Sequence, residues 1–364
     1  MKKLSEEKTY SDDMKVVDNM PESFRVIQIG FGTLGKWIAR AIIERENLDL
    51  VAVVDIDPAL QGKPVEELLN LDRQTSTKIR ENLTTTLDEL HGNPPDVAVV
   101  ATASHLQKIK STISTCLQRG MDVISLCEEL SFPYVRHPQL SKELHDLALK
   151  ENKTLLGTGI NPGFLMDLLP ILLTAPCQRV DRVHVTRNMN SSARRDAFQK
   201  KVGTGMTEGD FKEAIATKVI TGHVGLVESI RMIGAALNMQ LDHVEEFPPE
   251  PVIATKKIVT TYTTVQPGQV RGLKSRGIGQ KGGDTIITLD FNAYADASPA
   301  YDEVRIEGVP NIQQRIDGGM PGDEGTVGML INLVPLVITA PSGLLTMKDI
   351  PCPHNTQRVW KQST

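Results

Sequence analysis

The sequence predicts an α/β protein in which a doubly wound parallel sheet is followed by a second domain of the α+β class. A strand, a glycine-rich turn, a helix and a second strand ending on an acid follow one another between residues 24 and 55. Strands and helices then alternate to about residue 157, which is the pattern of a parallel sheet covered by helices. Beyond that point helices and Thr- and Val-rich strands form separate blocks, which is typical of an α+β domain.

The first unit has the sequence features of a Rossmann-type dinucleotide-binding fold. Phe24–Ile29 is predicted as a strand and leads into a G-x-G-x-x-G turn that opens a helix. In this motif Gly30 allows the tight turn, Gly32 lets the backbone approach a pyrophosphate, and Gly35 packs the helix against the strand. The helix N-terminus offers unpaired N–H groups to the phosphates. The cofactor-binding residues predicted here are Gly30, Phe31, Gly32, Thr33, Leu34 and Gly35.

An acidic residue ends the next predicted strand, Leu48–Val54. Asp55 lies 20 residues after Gly35, where a carboxylate can accept both hydroxyl groups of a ribose. No Arg follows it directly, although a site for a 2′-phosphate usually contains one, and Lys63 could take that role only weakly. NAD is therefore the expected cofactor, with NADP possible.

The next strand ends on further candidate residues. An apolar run over residues 96–102 is predicted as a buried parallel strand, and open α/β sheets bind ligands at the carboxyl ends of such strands. We therefore assign Ala101, Thr102 and Ala103 to the cofactor site. The other elements predicted in this half are helices around Val65–Leu71 and Leu87–His91, the helix Leu106–Arg119, the strand Asp122–Leu126, the helix Ser141–Glu151 and the strand Thr154–Gly157.

The segment Gly157–Phe164 marks a change of domain. Three glycines and a proline within eight residues can continue neither a strand nor a helix. An apolar helical segment, Gly325–Val337, is expected to be interrupted at Pro335 and to return to the first domain. The predicted division is a polar, disordered tail at residues 1–23, a dinucleotide-binding domain at 24–157 plus about 320–350, and an α+β domain for substrate binding and oligomerisation at 158–319.

The second domain is predicted as an antiparallel sheet with helices on one side. A glycine-rich segment, residues 268–283, is expected to lie between its strands. The predicted elements are the helix Leu165–Leu173, the strand Val180–Thr186, a basic stretch at 187–201, the helices Glu208–Ile220 and Val224–Leu237, strands within Val252–Tyr262, and the strands Thr285–Tyr294 and Val304–Gly308.

Composition and charge exclude several classes of function. The net charge is −5 and aromatic residues make up 4% of the chain, so neither a basic face nor stacking platforms for nucleic acid are expected. The four cysteines have no C-x-x-C spacing, which argues against a metal site and fits reduced thiols in a cytoplasmic protein. The longest apolar run, Met329–Pro341, is shorter than the roughly 20 residues that span a bilayer, so no membrane segment is predicted.

Two adjacent glutamates, Glu128 and Glu129, are the candidate catalytic residues. They follow the predicted strand Asp122–Leu126 at the edge where the cofactor is expected. Adjacent residues of an extended chain point to opposite faces, so only one of the two can face the cleft. A partly desolvated carboxylate there would have a raised pKa suited to acid–base catalysis. Both glutamates could instead be solvated loop residues.

Substrate-binding candidates come from the second domain. Arg194 and Arg195 could hold a substrate carboxylate through their planar donor fork, or could belong to a solvated charged face. His223 lies between two predicted helices and could donate a proton, bind substrate or be structural. Cys127 precedes the glutamates, whose charge disfavours its thiolate and argues against a nucleophile.

The chain resembles the 2,4-diaminopentanoate dehydrogenase family, which groups with the native amine dehydrogenases. In its cofactor half it is also distantly similar to dihydrodipicolinate reductase. The resemblance covers the chain from about residue 24 to its end, and the Cys-Glu-Glu and Asn-Pro-Gly-Phe pieces are its more specific parts. The matching pieces are Gly30–Gly35, Val54–Pro58, Ile124–Leu130, Gly157–Phe164, Phe198–Gly203, Gly222–Ser229 and a return segment around Asn332–Leu344.

The resemblance implies a reversible, NAD(P)-dependent oxidative deamination of a small amine or diamino acid. The expected reaction converts 2,4-diaminopentanoate, or a close analogue, to 2-amino-4-oxopentanoate and ammonia. Distant relatives carry Glu-Lys-Pro at the glutamate pair, which favours Glu129 as the acid–base group and leaves Glu128 as the alternative. Asn161, together with Arg194, Arg195 and His223, is assigned to substrate binding, and a homodimer is expected.

Two other functions stay open on sequence grounds. One is an imine or carbonyl reductase of the dihydrodipicolinate reductase or homoserine dehydrogenase type. The other is a redox-sensing module that binds NAD without turnover. Neither requires an amine substrate, so a dependence on ammonia in the reductive direction separates both from an amine dehydrogenase.

Overall fold

A computed structural model describes residues 23–357 of the chain, apart from residues 73, 74, 76, 221 and 222. The tail predicted at residues 1–23 therefore lies outside the described residues except for its last position, and so does Gly222. Within the described part of the chain, no helix is long and apolar enough to cross a membrane.

The described residues form ten α-helices, sixteen strands and a 3-10 turn at Glu128–Leu130. The helices are α1 (Thr33–Ile43), α2 (Val65–Leu69), α3 (Leu83–Glu89), α4 (Leu106–Gln118), α5 (Pro138–Lys150), α6 (Leu168–Leu173), α7 (Asp196–Lys201), α8 (Glu208–Ala216), α9 (Leu226–Ala236) and α10 (Gly322–Ile338). The strands are β1 (Phe24–Ile29), β2 (Leu48–Val54), β3 (Ile79–Arg80), β4 (Val97–Val100), β5 (Asp122–Ser125), β6 (Thr154–Gly157), β7 (Arg179–Asn190), β8 (His243–Glu246), β9 (Glu250–Ile253), β10 (Ile258–Val259), β11 (Thr264–Val265), β12 (Val270–Lys281), β13 (Asp284–Tyr294), β14 (Tyr301–Val309), β15 (Ile312–Asp317) and β16 (Gly343–Leu345).

The first sheet is parallel throughout, in the order β16-β6-β5-β4-β1-β2-β3. β4, β5 and β6 are buried along their whole length, which is why their sequences do not alternate between apolar and polar residues. The order of strands reverses between β1 and β4, and sheets of this kind bind ligands in the crevice at that point. The predicted doubly wound α/β architecture is confirmed.

The chain returns to the first sheet through α10 and β16. The expected interruption at Pro335 is wrong, since α10 continues to Ile338. Pro335 lies in the last turn of the helix, where its missing N–H removes one hydrogen bond near the frayed end rather than in the middle. α10 packs against α1 in one apolar cluster, and β16, which the sequence analysis does not predict, pairs with β6.

The second sheet follows the order β15-β14-β7-β13-β12-β8, and β9 also pairs with β12. All of these pairs are antiparallel except β7 with β13, which is parallel. The prediction of a wholly antiparallel sheet is therefore wrong for β7 and β13. Parallel neighbours need a long crossover connection, and helices α7 to α9 with several strands lie between these two strands in the sequence. Within residues 252–262, where strands are expected, the structure has only the end of β9 and the two-residue strand β10.

The glycine-rich segment at residues 268–283 does not separate strands, as the sequence analysis expects, but contains the 12-residue strand β12. Its glycines let α9 approach the sheet, because a Cβ added at Gly277 or Gly279 would lie 2.8 Å from the side chain of Ile230. Close packing of a helix thus explains glycine in the interior of a strand, where it otherwise weakens the structure.

Candidate active site

The G-x-G-x-x-G turn lies at the carboxyl end of β1. Gly30 has a φ of +101° and no room for a side chain, because a Cβ would lie 2.5 Å from Ala101 O. A Cβ at Gly35 would overlap the carbonyl oxygen of Gly30. Gln28 is fully buried and its Nε2 donates to the carbonyls of Gly30 at 2.8 Å and Gly35 at 2.7 Å. Gln28 is not among the residues predicted from the sequence, although a polar residue within an apolar strand just before the motif is a signal for such a role.

A cavity of about 370 Å³ lies in front of this turn. A Cβ at Gly32 would meet no protein atom within 4 Å, so the turn leaves open space where a phosphate would approach. Asp55 accepts the backbone N–H groups of Phe31 and of Asp57, so its carboxylate fixes the turn and also lines the cavity. These features fit a dinucleotide, whose phosphates and adenosine ribose these residues would hold. The cavity is lined by Phe31, Gly32, Thr33, Lys36, Trp37, Asp55, Asp57 and Leu60.

Residues 101–103 follow β4 at the same edge of the sheet. Ala101 donates its N–H to Ile29 O at 2.8 Å, and its carbonyl abuts the glycine turn. Thr102 is exposed and Ala103 is half-buried. Their assignment to the cofactor site stays a prediction.

A second cavity, of about 270 Å³, begins at the N-terminal turn of α1 and is lined by residues from both halves of the chain. We call it the central cavity. It brings together six of the residues that the sequence analysis assigns to the site, namely Leu34, Glu128, Asn161, Arg194, Arg195 and His223. The other residues that line it are Leu126, Thr158, Gly159, Ile160, Pro162, Arg187, Met189, Ala197, Phe198, Lys201, Phe291, Gly322, Asp323 and Thr326.

The side chains of Glu128 and Glu129 have different surroundings, and only that of Glu128 lines the central cavity. From the sequence, an extended backbone is expected here, which would point the two side chains to opposite faces. The backbone is not extended, because residues 128–130 form a 3-10 turn. The turn nevertheless gives them different surroundings. Glu128 lines the central cavity, and its Oε1 lies 3.8 Å from Lys201 Nζ. Glu129 is not among the residues that line it.

Glu129 is instead held at the start of α4. Its Oε2 accepts the N–H of Leu106 at 2.8 Å, where a helix N-terminus favours negative charge. The ring nitrogens of His105 and His137 lie 3.0 and 2.9 Å from its two oxygens. Burial opposes ionisation of Glu129, but hydrogen bonds from His105, Leu106 and His137 together lower the pKa of this carboxyl below its ordinary value. Its side chain, 7% exposed, is therefore an ionised group already committed to neighbours.

Arg194 and Arg195 both line the central cavity, and both face one acid. Arg194 Nη2 lies 2.9 Å from Asp323 Oδ1, and Arg195 Nε lies 3.4 Å from the same oxygen. Part of their charge is therefore matched by the protein itself. Their assignment to substrate binding stays a prediction.

Arg187 presents a buried cation to the central cavity. The expected end of its strand at Thr186 is wrong, since β7 continues to Asn190 and turns Arg187 toward the core face. Arg187 is 2% exposed, and its Nη2 donates to Met320 O at 2.8 Å, whereas Nε and Nη1 have no hydrogen-bond partner in the part of the chain that the structure describes. Asp302 Oδ1 lies 3.7 Å from Nε, outside hydrogen-bond range. Burial lowers the pKa of Arg187, and Asp302 opposes that shift.

Arg187 belongs to the basic stretch predicted at residues 187–201 but is not among the residues predicted for the site. The signal that could have found it is the alternation of β7, in which Val183 and Val185 are buried and Arg187 continues the same face. The predicted strand ends at Thr186, one residue before Arg187, so the alternation is not followed as far as Arg187.

His223 also lines the central cavity. Its ring stacks on Phe291, with centroids 4.4 Å apart and an interplanar angle of 18°. Its Nε2 lies 3.1 Å from Asn161 Nδ2. Burial, together with the positive charges of Lys201 and Arg187, lowers the pKa of His223 to about 3. The imidazole is thus neutral at ordinary pH, which disfavours a role as an imidazolium proton donor.

The loop that carries Asn161 is fixed by a buried acid. Asp167 is fully buried and accepts the N–H groups of Gly163 at 2.8 Å and Leu168 at 2.7 Å. Ser229 of α9 donates its hydroxyl to the same carboxylate at 2.9 Å. These contacts tie residues 158–164 to α9, so the loop meets the central cavity as a rigid wall.

Fold and site together define a two-domain oxidoreductase with a dinucleotide-binding sheet and a second, substrate-side sheet. Residues 164–363 match the model of the 2,4-diaminopentanoate dehydrogenase C-terminal domain. The 2,4-diaminopentanoate dehydrogenase of Acetoanaerobium sticklandii is 31% identical, over 92% of this chain and 95% of its own length. The chain therefore belongs to the 2,4-diaminopentanoate dehydrogenase family. The predicted membership and the predicted class, a dehydrogenase of the amine dehydrogenase type, are confirmed.

Two further proteins extend the comparison. An amine dehydrogenase of Streptomyces virginiae is 23% identical, over 88% of this chain and 94% of its own length. The solved structure of an amine dehydrogenase from Mycobacterium smegmatis shares the fold with a TM-score of 0.78, at 22% identity, over 92% of this chain and 98% of that one. The reductase and sensor alternatives gain no support from these relatives.

The glycine turn predicts opposite behaviour for two similar substitutions. Gly30→Ala would place a Cβ against Ala101 O at a positive φ, and we expect it to lower the free energy of unfolding by about 2–4 kcal/mol. Gly32→Ala meets no protein atom at a φ of −67°, so its stability should stay within about 1 kcal/mol of the parent. Urea unfolding measures both differences.

The matched readout is dinucleotide affinity by calorimetry. Gly32→Ala should weaken binding by about tenfold or more, or about 1.4 kcal/mol, because its methyl group enters the space left for a phosphate. Unchanged affinity in Gly32→Ala would contradict the placement of the cofactor at this turn.

Proposed function

We propose that the chain catalyses the reversible oxidative deamination of a small amino acid, with 2,4-diaminopentanoate as the first candidate substrate and 2-amino-4-oxopentanoate and ammonia as products. The observation that carries the proposal is the pairing, in one cavity beside the glycine turn, of a carboxylate, Glu128, with a buried cation that has free donors, Arg187. The first can serve an amine and the second a carboxylate. The names of the relatives support the same substrate class.

NAD is the proposed cofactor, and NADP is a possible second. When bound, the nicotinamide supplies the acceptor for the hydride that leaves the amine-bearing carbon. A 2′-phosphate beside the carboxylates of Asp55 and Asp57 would meet like charge, which favours NAD. Lys36, in the same cavity, offers the opposite charge and would moderate that preference. Assays with both cofactors measure the balance.

Glu128 is the proposed acid–base group. A protonated amine has no lone pair with which to form the imine, so a base must remove a proton before the hydride leaves. Glu128 lines the central cavity, whereas the oxygens of Glu129 are engaged by Leu106 N and two histidines. Once it has released that proton to solvent, the same carboxylate can take a proton from the water that hydrolyses the imine. Lys201 Nζ lies 3.8 Å from Glu128 Oε1 and places a positive charge beside this carboxylate.

Arg187 is the proposed anchor for the substrate carboxylate. Met320 O takes only one of the two hydrogens on Nη2, so the second can pair with an N–H of Nη1 or of Nε to offer two parallel donors to one carboxylate. The burial of Arg187 removes competing water and strengthens the interaction. Arg194 and Arg195, which share Asp323, would add positive potential at the same wall without being the main contact.

A cytoplasmic homodimer is the proposed assembly. The face of the second sheet opposite α9 carries ion pairs that join neighbouring strands, such as Arg276 with Asp290 and Arg315 with Glu303. Side chains of both signs on one face allow a copy related by a two-fold axis to place opposite charges in contact. Sedimentation velocity distinguishes such a dimer from a monomer.

A coupled assay tests the function directly. Small amines, amino acids and diamino acids are screened for reduction of NAD, with NADP in parallel, and the ketone product is tested for reduction with and without ammonia. We expect turnover of a diamino acid and a strict need for ammonia in reverse. Carbonyl reduction without ammonia would indicate a reductase, and cofactor binding without any turnover would indicate a sensor.

The two glutamates should respond differently to removal of charge. Glu128→Gln should lower kcat for amine oxidation by about a hundredfold or more while keeping cofactor affinity, as expected for a positioned acid–base group. Glu129→Gln should keep activity within about tenfold and lower Tm, because it removes charge from the hydrogen bonds at the start of α4. The reverse pattern would return the acid–base role to Glu129.

The arginines offer a second contrast. Arg187→Met should raise KM for a diamino acid by about tenfold or more, since hydrogen bonds between charged groups contribute about 1.5–3 kcal/mol each, and should change KM for a simple amine little. Arg195→Met is the matched control and should change both values less than about threefold. Equal losses for amino acids and amines in Arg187→Met would assign this residue a structural role.

A further inference from the structure

Asn161 places an amide with one unused group at the central cavity. Its Nδ2 lies 3.1 Å from His223 Nε2 and 3.2 Å from Met166 Sδ, so both N–H donors of the amide have an acceptor within reach. Its Oδ1 is buried and has no hydrogen-bond partner among the described residues. An unsatisfied buried carbonyl costs about 1–3 kcal/mol, and such a cost in a cavity wall indicates a partner that arrives with the ligand.

The two neighbours of Nδ2 fix which way the amide faces. A thioether sulfur only accepts, and would be repelled by Oδ1 if the amide were rotated by 180°. His223 accepts at Nε2 only when its single proton is on Nδ1, because the ring is neutral at ordinary pH. The stack on Phe291 holds the ring in its plane. His223 and Met166 therefore select one of the two amide orientations.

We propose that Asn161 Oδ1 accepts a hydrogen bond from the reacting nitrogen of the substrate, and that His223 is the positioning residue that keeps this oxygen turned toward the cavity. The inference rests on the proposed function and deepens it. It assigns Asn161 and His223 different roles, one in contact with substrate and one acting through its neighbour.

The chemistry of deamination explains the need for an acceptor. After Glu128 has removed one proton, the neutral amine can lose hydride from its carbon to the acceptor that a bound nicotinamide would supply, and the nitrogen lone pair forms the C=N bond. The nitrogen then carries two N–H groups and a positive charge. An amide oxygen that is already oriented stabilises this charge as it develops, without taking the proton. If the amide of Asn161 were rotated by 180°, its NH2 group would take the place of the oxygen and would repel the positive charge that develops on the substrate nitrogen.

The tautomer of His223 is the first test and does not require turnover. Nitrogen-15 spectra of the labelled protein, compared with His223→Gln to identify the signal among eight histidines, report which ring nitrogen is protonated. We expect a neutral ring with the proton on Nδ1 from pH 6 to pH 9. A proton on Nε2, or a ring that titrates in this range, would overturn the proposed orientation.

Kinetics of paired variants form the second test. Asn161→Leu removes the acceptor and should lower kcat by about a hundredfold, in the range measured when one oriented hydrogen-bond partner is lost from an active site. Asn161→Asp keeps an oxygen and should retain kcat within about tenfold, with its pH–rate profile moved to higher pH because a carboxylate favours the protonated amine. Equal losses in the two variants, in proportion to lost Tm, would assign Asn161 a structural role.

His223 has its own matched pair. His223→Gln supplies a side-chain oxygen that can accept from Asn161 Nδ2, and should keep kcat within about tenfold. His223→Leu frees the amide to rotate and should lose activity to about the level of Asn161→Leu, with KM changed less than kcat. Similar kcat values in both His223 variants would overturn the positioning role.

The outcomes separate this inference from the function on which it rests. A chain that oxidises no amine would refute the proposed function whatever the tautomer of His223. A chain that oxidises amines but has Nε2 protonated, or tolerates Asn161→Leu, would refute only the inference.

Discussion

The contact between Gly30 and the carbonyl of Ala101 is the constraint on which the site depends. Two neighbouring parallel strands, β1 and β4, end there, and the turn that follows β1 must pass against the chain that leaves β4. Gln28 also stabilises this turn, because its Nε2 donates hydrogen bonds to the carbonyls of Gly30 and Gly35. Because this crossing fixes the first turn of α1, it also fixes Leu34, where the central cavity begins.

Around that fixed point, charge is distributed unevenly between the two halves of the chain. The second half supplies the cations Arg187, Arg194, Arg195 and Lys201, and the first half supplies Glu128. Among the described residues, two acids line the central cavity, Glu128 and Asp323, and Asp323 forms an ion pair with Arg194. Four cations thus meet two carboxylates at the central cavity, and this excess of positive charge suits a zwitterionic ligand whose carboxylate binds a cation and whose amine meets Glu128.

Much of the cofactor half could be predicted from the sequence, because its signals are local. The glycine turn, Asp55 and the alternation of strands and helices each follow from spacing within some 30 residues. Arg187 could not be assigned as easily, since its burial depends on how far β7 extends and on which face α9 covers. The separation of Glu128 from Glu129 depends on a 3-10 turn and on α4, which contacts only one of them. The strand β12 was hidden because glycine is favoured there by a helix distant in sequence.

The return of the chain to its first sheet has a consequence for synthesis. β6 pairs on one side with β5 and on the other with β16, which begins at residue 343. As the ribosome releases the chain from its N-terminus, residues 154–157 must wait with an unpaired edge while almost 190 further residues, including the whole second sheet, emerge. Exposed strand edges recruit other chains. The edge of β6 thus stays unpaired until β16 is released, so the second sheet emerges, and can begin to fold, while that edge is still open.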